Sequence, residues 1–237
     1  MAGVRGIIVD IEGTTTPISF VHEVLFAYAR KRIKDFLIAH GADDRVNHDL
    51  KLLSQEHDRD LREGNEPPRL TEAPVSYATY VAWLMDLDRK STGLKSLQGK
   101  IWEEGYEDGT LRAQVFPDVA PAFARWRANG LVISIFSSGS VLAQKLLFAH
   151  TETGDLTSFI SDYFDTRVGK KGEAESYRHI AKAMKFAPNE LLFVSDVVAE
   201  LAAAREAGME TALSIRPGNQ PPEATAHYRT IQSFDEL

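Results

Sequence analysis

The stretch Gly6-Ile7-Ile8-Val9-Asp10-Ile11-Glu12-Gly13-Thr14-Thr15 decides the fold, because an unbroken apolar run stops there at two carboxylates and a glycine turn. Ile7, Ile8 and Val9 are β-branched and follow one another without alternation, which is how a strand buried on both faces of a parallel sheet reads. Asp10 then falls at the carboxyl end of that strand, the edge at which open α/β sheets bind ligands. Gly13 lets the backbone leave the strand, and Thr14, Thr15, Thr16 and Pro17 hold off any immediate helix. Two carboxylates one residue apart are costly unless a cation or a shared proton intervenes, and oxygen ligands of this kind suit Mg²⁺. Taken alone, the motif reads equally as a strand end followed by solvated acids, so the other strand ends carry the decision.

Two further apolar runs end in the same way. Leu131 to Phe136 is a second buried strand, and it runs into Ser137-Ser138-Gly139-Ser140 ahead of a helix over Val141 to Phe148. Small hydroxyl residues and a glycine at a helix amino terminus form a phosphate-binding turn, although a plain strand-to-helix loop with a Ser N-cap has the same composition. It is not a nucleophile elbow of the Gly-x-Ser-x-Gly type, since Phe136 stands where a glycine is required. Leu191 to Val194 is a third strand and ends in Ser195-Asp196. Between them, Gly169-Lys170-Lys171-Gly172 brings two lysines into a helix starting near Glu175. A lysine there can balance a nucleophile and phosphoryl oxygens, or it can be simply solvated. Phe159 to Phe164 reads as an edge strand or short turn, Thr211 to Ile215 as a last core strand, and the tail holds one short strand near Thr230-Ile231. Asp118 is the expected N-cap of the helix that Gly130 closes.

Residues 19–113 contrast with this alternation. Phe20, Val24, Leu25, Tyr28, Phe36 and Leu37 recur at helical spacing, and three more helical patterns follow around Leu50, Tyr80 and Leu97, with no convincing strand among them. We expect an α/β chain with a Rossmann-like parallel core over residues 1–18 and 114–237, and a helical cap inserted after the first strand over residues 19–113. The insert's aromatics are expected to form its own core, and the insert to close over the site and exclude water. With 237 residues of which 43% are hydrophobic, the chain can bury such a core. A net charge of -7 argues against nucleic acid as the main partner, and the apolar runs are too short for a membrane span. The absence of cysteine removes disulfides, thiolate nucleophiles and Cys-type zinc sites, in keeping with a cytoplasmic protein.

Asp10-Ile11-Glu12-Gly13-Thr14, Ser137-Ser138-Gly139, Lys171 and Asp196, in that order, resemble the haloacid dehalogenase superfamily of aspartate-nucleophile phosphatases. More narrowly, Asp10 through Phe20 is similar to the enolase-phosphatase E1 (acireductone synthase) family. That likeness continues through Asp88-Arg89-Lys90, Leu97-Gln98-Gly99, Gln144-Lys145-Leu146-Leu147-Phe148, Glu175-Ser176-Tyr177-Arg178, Arg216-Pro217-Gly218-Asn219 and Ser233-Phe234. Glu12, where the wider superfamily carries Asp, is the narrower family's mark. The resemblance implies that Asp10 attacks phosphorus to give an aspartyl-phosphate, that Glu12 is the acid/base, and that Ser137, Ser138 and Lys171 hold the phosphoryl group. It also implies one Mg²⁺ per chain on Asp10, Asp196 and the carbonyl of Glu12. The implied reaction converts 2,3-diketo-5-methylthiopentyl-1-phosphate to 1,2-dihydroxy-3-keto-5-methylthiopentene and phosphate in methionine salvage, by a monomer that acts on a small molecule. Glu200, one turn after Asp196, reads either as a group supporting the site or as a solvated helix acid. The rival readings are another phosphatase or a phosphomutase of the superfamily, and a metal- and phosphate-binding module without turnover.

Overall fold

A computed structural model of the protein describes residues 3–89, 91–219 and 227–237; Lys90 of the Asp88-Arg89-Lys90 motif lies outside them. The chain divides into two compact units, Met1–His22 with Arg112–Leu237, and Glu23–Leu111. These junctions differ by a few residues from 18/19 and 113/114, for reasons visible in local bonding. Phe20 N–H bonds back to the Pro17 carbonyl at 3.1 Å, and Ala113 N–H bonds to the His150 carbonyl at 2.9 Å, each within the first unit.

The first unit is a six-stranded sheet. Its strands are β1 (Gly6–Val9), β2 (Val132–Phe136), β3 (Ile160–Phe164), β4 (Leu191–Ser195), β5 (Glu210–Ser214) and β6 (Arg229–Ile231). They lie in the order β3-β2-β1-β4-β5-β6, and every pairing is parallel. β1 is central and all four of its residues are buried, which is why its sequence does not alternate. Its neighbours register as Val9↔Ile135 and Val9↔Val194, so the chain emerges from β1, β2 and β4 at one edge. The order reverses between β1 and β4, and at such a switch point the connections leave to opposite sides and open a crevice. Helices α5 (Val119–Ala128), α6 (Val141–Ala149), α7 (Ala174–Met184) and α8 (Val198–Glu206) connect the strands. Ile8, Phe136, Tyr177, Ile180, Phe193, Leu201 and Leu213 belong to one buried cluster between sheet and helices.

One expected cap is not formed. Asp118 stands at the N-cap of α5 with helical backbone angles and makes no capping bond. Its Oδ2 instead accepts from Arg216 Nη1 at 2.8 Å and from the Phe234 N–H at 2.6 Å. A buried guanidinium demands a charged acceptor more strongly than a helix end, which α5 begins close to water. Arg216 Nε reaches the Thr14 carbonyl at 2.9 Å, so this ion pair also pins the loop after β1.

The second unit is helical: α1 (Ala27–His40), α2 (Asp44–Arg62), α3 (Tyr77–Asp86) and α4 (Thr92–Glu107), with no strand among the described residues. The helix expected from Phe20 begins as a π-helix over Phe20–Phe26. Phe20 and Leu25 are both buried and stand five apart, the π rather than the α period, while Val24 is left exposed. α2 is longer than its sparse apolar residues suggest, because it buries Val46, Leu50 and Leu53 on one stripe and pairs its buried acids. Asp49 meets Lys100, and Asp60 accepts from Tyr80 Oη at 2.8 Å, Arg89 Nη2 at 2.9 Å and Asn65 Nδ2 at 3.1 Å. Tyr80, Trp102 and Tyr106 are core residues of this unit. Among the described residues no helix is long and apolar enough to cross a membrane.

Candidate active site

Asp10 is the first residue past β1, and its backbone N–H still bonds to the Val194 carbonyl at 3.0 Å. The turn behind it is fixed by a fan of bonds onto one carbonyl: the N–H groups of Thr14, Thr15 and Thr16 all reach the Ile11 oxygen, at 3.2, 2.9 and 2.9 Å. Gly13 has φ +69°, and a Cβ there would lie 2.2 Å from Asp196 Oδ2. Only glycine lets the β1 and β4 loops approach this closely. Asn219 Nδ2 caps the Gly13 carbonyl at 2.8 Å.

Lys171 arrives from the far loop with its ammonium between two carboxylates, 2.8 Å from Asp10 Oδ1 and 2.6 Å from Glu200 Oε2. The lysine side chain is 8% exposed and the Glu200 side chain 14%, so Glu200 is not a solvated helix acid. The loop is aimed by its backbone. Tyr177 Oη donates to the Lys171 carbonyl at 2.7 Å, and Ser176 Oγ donates to the Lys170 carbonyl at 2.7 Å. Gly169, at φ +135°, makes room for Ser176, whose Oγ would sit 2.2 Å from any Cβ there. Lys170 points elsewhere, to Glu173 at 3.2 Å, which separates the two lysines that the sequence leaves side by side.

Ser195 links the same groups. Its Oγ lies 2.9 Å from Glu200 Oε2 and 3.3 Å from Asp10 Oδ2, and its single proton serves one of them at a time. Asp196 follows, and burial together with the Asp10 charge pushes its carboxyl up to about 7. Burial and the Asp10 charge also raise Glu200, with Lys171 working against them. Burial alone would lower Lys171, but Asp10 and Glu200 outweigh it and hold the ammonium charged. Two carboxylates thus meet one ammonium at the mouth of the switch point, and a third carboxyl, Asp196, lies near enough to feel the Asp10 charge. That surplus of negative oxygen fits a hard divalent cation. Among the described residues, no group of three or more His, Cys, Asp or Glu side chains forms a ready-made metal cage. Two carboxylates with a backbone carbonyl remain a sufficient start for an ion that keeps several waters.

Ser137 and Ser138 leave β2 at this same edge. The Ser137 N–H bonds to the Phe164 carbonyl at 3.1 Å, and Ser137 Oγ accepts from Gly139 N–H at 3.2 Å, so the turn is closed upon itself. Gln144 Nε2 ties the Gly139 and Phe164 carbonyls together at 2.8 Å each. Ser140 is the N-cap of α6, accepting from Ala143 N–H. Glu12 stands apart from the lysine network: its side chain is 45% exposed, and Oε1 lies 2.8 Å from His22 Nε2. Sequence reasoning gave no role to His22, Ser195, Tyr177 or Asn219, although Tyr177 and Asn219 fall in stretches that carry the family likeness and Ser195 is a polar residue at a buried strand end.

A family profile described as haloacid dehalogenase-like hydrolase matches residues 4–208. The enolase-phosphatase E1 of Synechococcus elongatus is 55% identical over 231 residues, 98% of this chain and 96% of that protein. The chain belongs to the enolase-phosphatase E1 family. The family is a branch of the haloacid dehalogenase-like hydrolases, and the chain is a phosphatase within it. A probable bifunctional methylthioribulose-1-phosphate dehydratase/enolase-phosphatase E1 of Arabidopsis thaliana is 43% identical over 242 residues, 98% of this chain and 48% of that longer protein. Among solved structures, the UTR4 protein of Saccharomyces cerevisiae is 34% identical with a TM-score of 0.81, covering 99% of this chain and 100% of that one. The six-stranded parallel sheet with its helices is the α/β fold of the haloacid dehalogenase-like hydrolases.

Proposed function

We propose that the chain converts 2,3-diketo-5-methylthiopentyl-1-phosphate to 1,2-dihydroxy-3-keto-5-methylthiopentene and inorganic phosphate, with Asp10 as the nucleophile. The observation that carries this reading is the buried ammonium of Lys171, 2.8 Å from Asp10 Oδ1 at the switch point of the sheet. The ion pair orients that carboxylate and sets a positive charge where a phosphate dianion would otherwise be repelled. The substrate class follows from the Arabidopsis relative, in whose name a methylthioribulose-1-phosphate dehydratase is joined to the enolase-phosphatase. Loss of water from a ketose phosphate leaves adjacent carbonyls, so the product of the first activity is a methylthio diketone phosphate.

Enolisation comes first. A base removes a proton from the phosphate-bearing carbon and keeps it, the electrons move onto the neighbouring carbonyl, and the resulting enolate takes a proton from water to give the enol phosphate. Glu12, with one methylene more than Asp, has the reach for that proton. An Asp10 oxygen then attacks phosphorus as the ester P–O bond breaks, and Glu12 supplies the proton that the departing oxygen takes up. Glu12, now ionised, takes a proton from the water that attacks the aspartyl-phosphate, and phosphate leaves with Asp10 restored. Ser137, Ser138 and the amides of their turn hold the phosphoryl oxygens, and Lys171 balances their charge. Mg²⁺, the ion the superfamily generally uses, would be held by Asp10, Asp196 and the Glu12 carbonyl, where it neutralises the phosphoryl group and acidifies the carbon beside the diketone. The enzyme acts, on this reading, as a cytoplasmic monomer with one ion per chain.

The deciding experiment measures Mg²⁺-dependent phosphate release from the diketone phosphate beside a panel of sugar phosphates, scored for free phosphate and for isomerised ester. Preferential release from the diketone phosphate supports the reading. Equal turnover of the sugar phosphates, or isomerisation without phosphate release, overturns it.

A further inference from the structure

We propose that His22 is a positioning residue for Glu12, holding one carboxylate oxygen so that the other meets the substrate in a fixed place. This inference rests on the reading of Glu12 as the acid/base. The Glu12 backbone is already rigid: Gly13 N–H bonds to the Thr16 carbonyl at 2.8 Å, and Glu12 bridges to Thr16. Backbone rigidity does not fix the carboxylate, however, because a glutamate side chain rotates about three bonds and this one is 45% exposed. The atom that restrains it is His22 Nε2, 2.8 Å from Oε1. Against an ionised carboxylate the ring nitrogen must be the donor, and Nε2–H is present in one neutral tautomer and in the cation alike. The restraint therefore does not depend on the charge of the ring.

The geometry that presents His22 is unusual. It lies in the seven-residue π-helix Phe20–Phe26, anchored by buried Phe20, whose N–H bonds to the Pro17 carbonyl. π-Turns are rare and concentrate where a side chain must be aimed against the helical repeat. At 54% exposure for the ring and 45% for the acid, the pair adds little to the stability of the fold. Its value lies in orientation, since a reacting group misplaced by about 1 Å loses on the order of a hundredfold in rate.

The test compares His22→Leu, which removes the donor, with His22→Gln, whose side-chain amide can place an N–H near Oε1, each alone and combined with Glu12→Gln. In the Mg²⁺-loaded enzyme acting on the diketone phosphate, His22→Leu should lower kcat about ten- to a hundredfold with KM within about twofold. His22→Gln should recover most of that loss, and His22→Leu should slow Glu12→Gln no further. Equal losses in the Leu and Gln variants, a change carried by KM, or full multiplication of the two losses overturns the proposal. A second readout uses the metal-free protein: the ¹⁵N signal of the His22 ring should move on Glu12→Gln, and an unmoved signal overturns the contact itself. If the unsubstituted enzyme releases no phosphate from the diketone phosphate, the functional reading fails, while the ring signal still decides whether His22 holds Glu12.

Discussion

Two buried acid clusters, one in each unit, resolve their charge in opposite ways. In the helical unit, burial alone would raise Asp60, but hydrogen bonds from Tyr80, Arg89 and Asn65 outweigh it and hold the carboxyl below the usual range. At the sheet edge, burial and the Asp10 charge push Asp196 up to about 7 and raise Glu200 too, because they outweigh the single Lys171 ammonium that works against them. A buried acid that serves the fold is fully compensated, whereas the acids of a site are left short of positive charge for what binds there. The difference lies in the donors each buried carboxyl meets: Asp60 has three, whereas Asp10 and Glu200 share Lys171.

Substitutions can break this contrast. Asp10→Asn should lower phosphate release at least about a thousandfold with the fold retained, because a carboxamide cannot form the acyl phosphate. A phosphate-release assay beside a thermal melt checks it, and retained turnover removes Asp10 from the nucleophile role. Lys171→Met strands two carboxylates and should cost about a hundredfold in rate and about 3–5 kcal/mol of metal-free stability, read by urea unfolding. Asp60→Asn should cost about 2 kcal/mol of stability while kcat per folded molecule stays within about twofold. A large loss of kcat without a loss of stability would erase the distinction between the clusters.

The smallest expected effect sharpens the contrast through pH. The Asp196 pKa is raised in the folded protein, so its contribution to stability is fully present below the ordinary carboxylate range and is lost as pH rises through about 7. Asp60 is depressed, so its contribution is present above that range and is lost as pH falls below it. Asp196→Asn, which stays neutral, should therefore be more stable than the parent near pH 8 and no more stable near pH 4. The gain is on the order of 1 kcal/mol after solvent screening, measured by urea unfolding without metal.

The strand ends were legible because a buried parallel strand leaves an unmistakable apolar run, and Asp10, Ser137 and Asp196 follow such runs directly. Glu200 was ambiguous because a helix acid looks the same in sequence whether water or a lysine faces it. His22 was invisible for a related reason. A histidine ten residues downstream of Glu12 sits in a pattern that reads as a continuous α-helix, whereas in the fold it lies in a π-helix with Nε2 2.8 Å from the carboxylate.

The residue pattern by itself determined the parallel sheet, the helical insert and the order in which acids follow the strands, since all of these follow from hydrophobic periodicity and from where it stops. Tertiary structure decided which groups share charge: Asp10 and Glu200 on Lys171, and Asp118 on Arg216 instead of capping its helix. These pairings join residues 29 positions apart for Lys171 and Glu200, 98 for Asp118 and Arg216, and 161 for Asp10 and Lys171. Their strength depends on distance and burial, which are properties of the folded chain and not of spacing along it.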